Sequence, residues 1–384
     1  GKNANKTIVM NDILIFFGGT FDPPHIGHRE MLLAARNAYP NAHITVMPTF
    51  LPPHKQTFYA ASAADRLNMC KIAFGDVKNV TISDYEIDKR GKSYSFETLA
   101  HLKNENPDKE ILFLMGTDMM KSFGSWKNPQ EILRLSTPLL CYRKGDGEAA
   151  DLSAKNFEKE FSVKPFVLPF NGVEASSTEI KIRYMLSLPI TTANEKILDY
   201  IRENGLYNGD EKFKFICENL KPARIEHTAG VVEYALDHAA YYKLDKNKVL
   251  TAALLHDCAK YKRAEDYKDF TMPSGVPEPV VHQYLGAYIA EKVLGVTDKD
   301  VLEAIRCHTS GKADMSDLDK LIFTSDMLEK GRTYEGVEDL RKIAEEDFEQ
   351  GFRAALKRSY EFVVQSGRPV YGETKKALEY IGGL

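Results

Sequence analysis

Short, unbroken apolar runs alternate with helix-spaced segments through the first half of the chain. Ile13–Phe17 is one such run and ends in glycines. Ile44–Met47, Val80–Ile82, Ile111–Met115, Leu139–Tyr142 and Val167–Leu168 repeat the pattern. Between them, Arg29–Ala38, Ala64–Phe74 and Phe96–Lys103 carry apolar residues at three- and four-residue spacing. Strands apolar on both faces, alternating with helices, predict a parallel sheet covered on both sides. Ligands of such sheets bind beyond the carboxyl ends of the strands. The loops after Phe17, Val46 and Met115 are therefore where chemistry is expected.

The pattern changes near Asn208-Gly209-Asp210. From Glu211 onward the period is helical almost throughout: Ala229–Tyr242, Lys248–Lys260, Gln283–Leu294, Lys299–Cys307, Asp317–Lys330 and Gly336–Gly351. An all-α domain over 211–384 is expected to follow an α/β domain over 1–208. The boundary lies just after a helix ending near Glu203-Asn204-Gly205. With 384 residues and 43% hydrophobic content, the chain has material for two cores. Its net charge of -4 argues against a general nucleic-acid binder. No run reaches the length of a membrane span, and no signal-peptide pattern is present, so no membrane association is expected. Five scattered cysteines, never spaced C-x-x-C, read as reduced thiols in a cytoplasmic protein.

The densest motif is Gly18-Gly19-Thr20-Phe21-Asp22-Pro23-Pro24-His25-Ile26-Gly27-His28, directly after a strand and before a helix. Glycines let the backbone approach a ligand, and a helix start offers N–H groups to an anion. His25 and His28 are three apart and share a face if both are helical. A bare turn with two surface histidines is the alternative. The strand–loop–helix setting and four further motifs favour a phosphate site. Those motifs are Pro52-Pro53-His54-Lys55, Ser93-Tyr94-Ser95 with Thr98-Leu99, Gly116-x-Asp118 with Trp126, and Ser176-Ser177-Thr178-Glu179-Ile180.

Together they resemble the nicotinate-nucleotide adenylyltransferases of the HxGH nucleotidyltransferase superfamily. The resemblance implies a Rossmann-like α/β nucleotidyltransferase domain that moves the adenylyl group of ATP onto nicotinate mononucleotide. By that resemblance His25, His28 and Lys55 serve the phosphates. Gly18, Gly19, Thr20 and Phe21 line the nucleotide loop, and Gly116 and Asp118 meet the adenosine. Ser177 and Thr178 hold the triphosphate. Trp126 stacks on the nicotinate ring, with Tyr94 and Thr98 in the same pocket. Mg²⁺ travels with ATP. The family has Arg directly after S-S-T-x-I. Here Lys181 stands there, with Arg183 two positions on, and either could meet the triphosphate. A related adenylyltransferase acting on phosphopantetheine is the alternative. The double proline before His25 and the Trp126 segment argue against it.

The second half holds four of the five histidines beyond residue 210 in one ordered set: His227, His256-Asp257, His282, His308 and then Asp326. A His-Asp pair interrupting the apolar helix Val249–Cys258 is costly unless it is paired or binds metal. This set resembles the HD-superfamily phosphohydrolases. Leu254–Lys260, Ala304–Gly311 and Ser325–Arg332 resemble the branch that splits diadenosine tetraphosphate symmetrically into two ADP. The resemblance implies two metal ions, iron or manganese, held by His227, His256, Asp257, His282, His308 and Asp326. Asp257 would bridge them. Lys260, one turn beyond His256, is a candidate phosphate contact, with an ordinary solvated helix lysine as the alternative. Mixed His/carboxylate ligation without thiolate suits those metals. A hydrolase of other nucleotides and a catalytically idle nucleotide sensor are the alternatives. The expected partners are the small nucleotides ATP, nicotinate mononucleotide and diadenosine tetraphosphate; a homo-oligomer is left open.

Overall fold

The computed structural model describes residues 12–50 and 59–384. Its contacts divide the chain into two units. One comprises 1–181 with 190–207, the other 182–189 with 208–384.

The first unit is built on six strands: β1 (Ile13–Gly19), β2 (His43–Pro48), β3 (Val80–Ile82), β4 (Glu110–Met115), β5 (Thr137–Arg143) and β6 (Phe166–Phe170). All pairings are parallel, in the order β3-β2-β1-β4-β5-β6. β1 is buried from Ile13 to Phe17 because both faces carry helices. Phe16, Phe113 and Met115 pack with Leu99, Phe123 and Phe157 on one side of the sheet. The chain winds outward through β2 and β3, then returns beyond β1 to lay down β4. That reversal opens a crevice at the carboxyl ends of β1 and β4, where Gly18-Gly19-Thr20 and Gly116 lie. The predicted strands fall where the apolar runs placed them. The helix Gly147–Phe161 was not anticipated: it buries only Ala150 and Phe157, so its apolar stripe is thin.

The second unit is helical among its described residues. Its helices are Glu211–Asn219, Pro222–His238, Lys246–Leu255, Val281–Lys292, Lys299–Arg306, Asp317–Leu328, Val337–Glu346, Phe348–Gln365 and Gly372–Tyr380. Two boundaries depart from the sequence pattern. The expected helix to Lys260 stops at Leu255, so His256 and Asp257 follow its end instead of interrupting it. The single helix expected over Gly336–Gly351 is two. Asp347 leaves helical geometry and its side chain accepts from Gln350 N, capping the second. No helix among the described residues is long and apolar enough to cross a membrane.

Candidate functional site

In the first unit, His25 is the N-cap of helix Ile26–Ala38 with extended backbone. Its Nδ1 accepts from Gly27 N at 3.0 Å and His28 N at 3.3 Å, while His28 Nδ1 accepts from His25 N at 3.1 Å. An Nδ1 that accepts leaves the proton of a neutral imidazole on Nε2. The two rings stack at 3.6 Å. Burial pushes the His25 pKa down to about 4, so it is neutral near pH 7. The pair therefore does not share a helix face, as the spacing suggested; it forms a reciprocal cap that places the proton of neutral His25 on Nε2. Gly27 is required by this cap, because a Cβ there would lie 2.9 Å from His25 Cε1.

The loop before His25 is fixed by groups distant in sequence. Asp22 Oδ1 accepts from Ala61 N at 3.0 Å and the Tyr207 hydroxyl at 2.5 Å, and its Oδ2 from Lys181 Nζ at 2.6 Å. Arg66, buried, donates to the Thr20 and Thr49 carbonyls. Ser177 Oγ donates to Pro23 O at 2.8 Å. Lys181 thus holds the loop by its carboxylate. Arg183 makes a bidentate pair with Glu226 of its own unit. Each of the two cations is thus engaged by a carboxylate. The Phe21 ring is away from ligand space. It is buried against Phe17, His28 and Phe74, and its backbone turns at φ 49°. Lys55 lies outside the described residues.

Two cavities open at the crevice. One, of about 500 Å³, is lined by His25, Gly116, Asp118, Lys121 and Arg143 among others. The second, of about 600 Å³, is lined by Gly18, Gly19, Thr20, Tyr94 and Trp126. Met119 belongs to both walls. Trp126 does two jobs: its ring packs on Phe113 and Phe123 and also faces the cavity. Thr98 is fully buried and lines neither cavity. Its hydroxyl donates to Glu86 at 2.7 Å, and Glu86 is the residue that reaches the cavity wall. Burial raises the Glu86 pKa against that hydrogen bond. Ser177 and Thr178, at the start of helix Ser177–Met185, are not among the residues lining these cavities. Glu86, Lys92, Lys121, Lys127 and Arg143 were not singled out from sequence, since isolated charges in loops have no periodic signature.

In the second unit, the six predicted ligands converge. His227 Nε2 lies 2.8 Å from Asp326 Oδ1 and 3.4 Å from His256 Nε2. Asp257 Oδ2 is 3.4 Å from His256 Nε2 and 3.7 Å from His227 Nε2. Its other oxygen, Oδ1, is 3.2 Å from His282 Nε2 and 3.4 Å from His308 Nε2. The last two nitrogens are 3.1 Å apart. Asp257 therefore presents one oxygen to each of two ligand groups.

The outer contacts orient these rings. His256 Nδ1 donates to Ala253 O at 2.6 Å and His308 Nδ1 to Ile305 O at 2.7 Å, turning each Nε2 inward. His227 Nδ1 faces Glu329 at 3.3 Å. Burial opposes charge on Asp257 and Asp326, yet the surrounding imidazoles hold both carboxyls well below the usual range. Burial likewise opposes charge on His256, but Asp257 and Asp326 outweigh it and raise its pKa to about 10. The cluster thus demands positive charge where the Nε2 atoms and carboxylates converge, a demand that divalent cations fit. Arg224 donates to Asp257 Oδ2 at 3.1 Å, and Arg332 to Asp326 Oδ1 at 3.2 Å. Lys260 is exposed in the turn after His256. His238, outside this set, bonds Tyr234 O and Glu345.

Comparison with known proteins divides the chain in the same order. Residues 16–183 match the cytidylyltransferase-like family, and residues 224–331 the HD domain family. A Mycoplasma genitalium protein named a probable nicotinate-nucleotide adenylyltransferase/Ap4A hydrolase is 28% identical. That match covers 91% of this chain and 98% of the relative. A Clostridium botulinum protein named a probable nicotinate-nucleotide adenylyltransferase is 36% identical, covering 50% of this chain and 95% of its own. A Bacillus subtilis protein named a symmetrical bis(5'-nucleosyl)-tetraphosphatase is 33% identical, covering 44% and 94%.

Proposed function

The chain belongs to the nicotinate-nucleotide adenylyltransferases of the cytidylyltransferase-like family over its first half and to the symmetrical bis(5'-nucleosyl)-tetraphosphatases of the HD family over its second, and on that premise we propose that it catalyses two reactions on adenine nucleotides. In the first, ATP occupies the cavity with Gly116 and Asp118, and nicotinate mononucleotide the cavity with Tyr94 and Trp126. A phosphate oxygen of the mononucleotide attacks the α-phosphorus of ATP. The bond to the β-phosphate oxygen breaks, giving deamido-NAD and pyrophosphate. Mg²⁺ enters with ATP as part of the substrate.

The observation that carries this reading is His25, stacked on His28 and lining the cavity of Gly116 and Asp118. Its Nδ1 is occupied by the cap, so the neutral His25 ring carries its proton on Nε2, where it can meet charge developing on phosphate oxygens. The substrate is already a nucleophile, so no covalent enzyme intermediate is needed; alignment and charge stabilisation supply the rate. Lys181, Ser177 and Tyr207 position the loop, while Thr178, Lys121 and Arg143 are the candidates for the triphosphate, with Lys55 assigned by resemblance.

In the second reaction, water and diadenosine tetraphosphate give two ADP by cleavage between the central phosphates. His227, His256, Asp326 and one oxygen of Asp257 would hold one metal ion. His282, His308 and the other oxygen would hold a second, iron or manganese. Such a pair supplies Lewis acidity toward a phosphate and lowers the pKa of a nearby water. Arg224 on Asp257 and Arg332 on Asp326 would offer guanidinium groups to a phosphate bound there, and Lys260 is a further candidate. The relation of Asp257 to two His groups carries this half.

Two assays test the readings. With ATP, Mg²⁺ and nicotinate mononucleotide, deamido-NAD and pyrophosphate are expected in equal amounts, and phosphopantetheine should not be adenylylated. Under anaerobic conditions with Fe²⁺ or Mn²⁺, diadenosine tetraphosphate should yield ADP alone. ATP plus AMP would overturn symmetrical cleavage; no turnover would overturn the hydrolase assignment.

A further inference from the structure

The 600 Å³ cavity of the first unit carries two lysines, Lys92 and Lys127, on the wall that holds Tyr94 and Trp126. Lys127 Nζ lies 4.3 Å from the Tyr94 ring centroid and Lys92 Nζ 5.3 Å from it. Neither is ion-paired among the described residues, and the lining offers a single carboxyl group, Glu86, which is engaged by Thr98. Two hydroxyls in the same lining, Ser93 Oγ and Thr49 Oγ1, are buried with no hydrogen-bond partner, and Ser93 is only 7% exposed. A buried polar atom without a partner is costly, which points to a polar ligand group arriving there.

We propose that Lys127, together with Lys92, is what makes this site prefer a pyridine carboxylate over the corresponding carboxamide. The inference rests on the reading of this cavity as the mononucleotide site. An N-ribosylated pyridine ring is a cation. The acid form adds a carboxylate and is a zwitterion at the ring; the amide form keeps the bare positive charge. Two ammonium groups beside the ring attract the carboxylate of the first and repel the second. Discrimination thus comes from an attractive and a repulsive element together. The aromatic face of Trp126 accepts the cationic ring in either form. The hydroxyls of Ser93 and Thr49 can likewise bond either an acid or an amide, so they hold the group without choosing it. The choice falls to the lysines.

The test uses the full chain with Lys127→Gln, Lys92→Gln, the double substitution and Lys127→Arg. Rates with nicotinate mononucleotide and nicotinamide mononucleotide are compared at saturating ATP and Mg²⁺, and binding of each without ATP is read from Trp126 fluorescence. Each Gln variant should lower the acid-to-amide ratio of kcat/KM about tenfold, through KM and the dissociation constant, with kcat for the acid nearly unchanged. Lys127→Arg should retain most of the ratio. Because both lysines are exposed, raising salt should compress the wild-type ratio and leave the double variant flat. An unchanged ratio in an active double variant would overturn the inference and leave the adenylyltransferase reading intact. Equal losses for both nucleotides would also overturn it, assigning the lysines to the shared phosphate. A wild-type chain that adenylylates neither nucleotide would overturn both.

Discussion

The ammonium of Lys181 lies 2.6 Å from Asp22 Oδ2, joining positions 159 residues apart, with side-chain exposures of 11% and 8%. Asp22 stands inside the Gly-Gly-Thr-Phe-Asp-Pro-Pro-His loop, so the basic residue after S-S-T-x-I acts on that loop from behind. Tyr207 takes the other carboxylate oxygen, and the Lys181 ammonium lies 5.4 Å from the Tyr207 ring. The shape of the histidine loop is therefore fixed by helix Ser177–Met185 and by the segment after helix Glu195–Glu203.

Removing one partner of this pair leaves the other charge buried, which costs about 3–5 kcal/mol. Lys181→Met should lower the unfolding midpoint of the first unit on the order of 10 °C. Adenylyl transfer should fall through kcat, with hydrolysis by the second unit retained. Lys181→Arg should recover part of the stability. Calorimetry with both assays on the same preparation checks this. A Lys181→Met protein of normal stability but raised KM for ATP would put Lys181 on the triphosphate instead.

His25 should impose a pH dependence of defined sign. The folded imidazole takes a proton only near pH 4, whereas its ordinary pKa is 6.5. Between those values the unfolded chain binds more protons. Stability is therefore complete above about 6.5, declines as pH falls, and has lost this contribution by about 4. Protonation also destroys the Nδ1 acceptor on which the reciprocal cap depends. His25→Asn, which can still cap a helix, should show a shallower decline over this range. Nitrogen shifts of wild-type His25 should report a neutral Nε2–H tautomer at pH 7.

The strands were legible because a parallel sheet buries both faces and leaves continuous apolar runs such as Ile13–Phe17. The six metal-site candidates were legible because His and Asp are rare enough for an ordered set to stand out. What escaped was pairing at a distance. Nothing near Lys181 names Asp22 as its partner, and nothing near Thr98 says that it serves Glu86. One helix end escaped too. His256 follows the end of helix Lys246–Leu255, where its Nδ1 can bond the carbonyl of Ala253. An apolar count cannot place that boundary, because Cys258 and Ala259 beyond it are just as buried.

Asp257 offers Oδ2 to one ligand group and Oδ1 to the other, so it cannot be replaced from either side. Asp257→Ala should reduce hydrolysis to background and leave adenylyl transfer intact. Metal per chain, measured by elemental analysis, should fall together with hydrolysis. His282→Ala should lower metal content while leaving the His227–His256–Asp326 group complete. Loss of both activities in a folded Asp257→Ala protein would refute the independence of the two sites.

Gly230 provides a test that touches no ligand. It lies on helix Pro222–His238, and a Cβ there would overlap the Glu329 carboxylate. Glu329 is buried, faces His227 Nδ1, and accepts from Gly331 N at 2.8 Å. Displacing it releases the far side of the His227 ring, and such outer contacts are worth roughly 10–100-fold in metal affinity or activity. Helix propensity by itself favours Ala over Gly by up to about 1 kcal/mol. Gly230→Ala should therefore lose metal affinity and hydrolysis by roughly 10–100-fold while its helical circular dichroism is kept. Glu329→Gln, which keeps the shape and removes the charge, should show a smaller loss. A Gly230→Ala protein with wild-type metal affinity would mean that Glu329 moves aside without disturbing His227, and the orienting role assigned to it would fall.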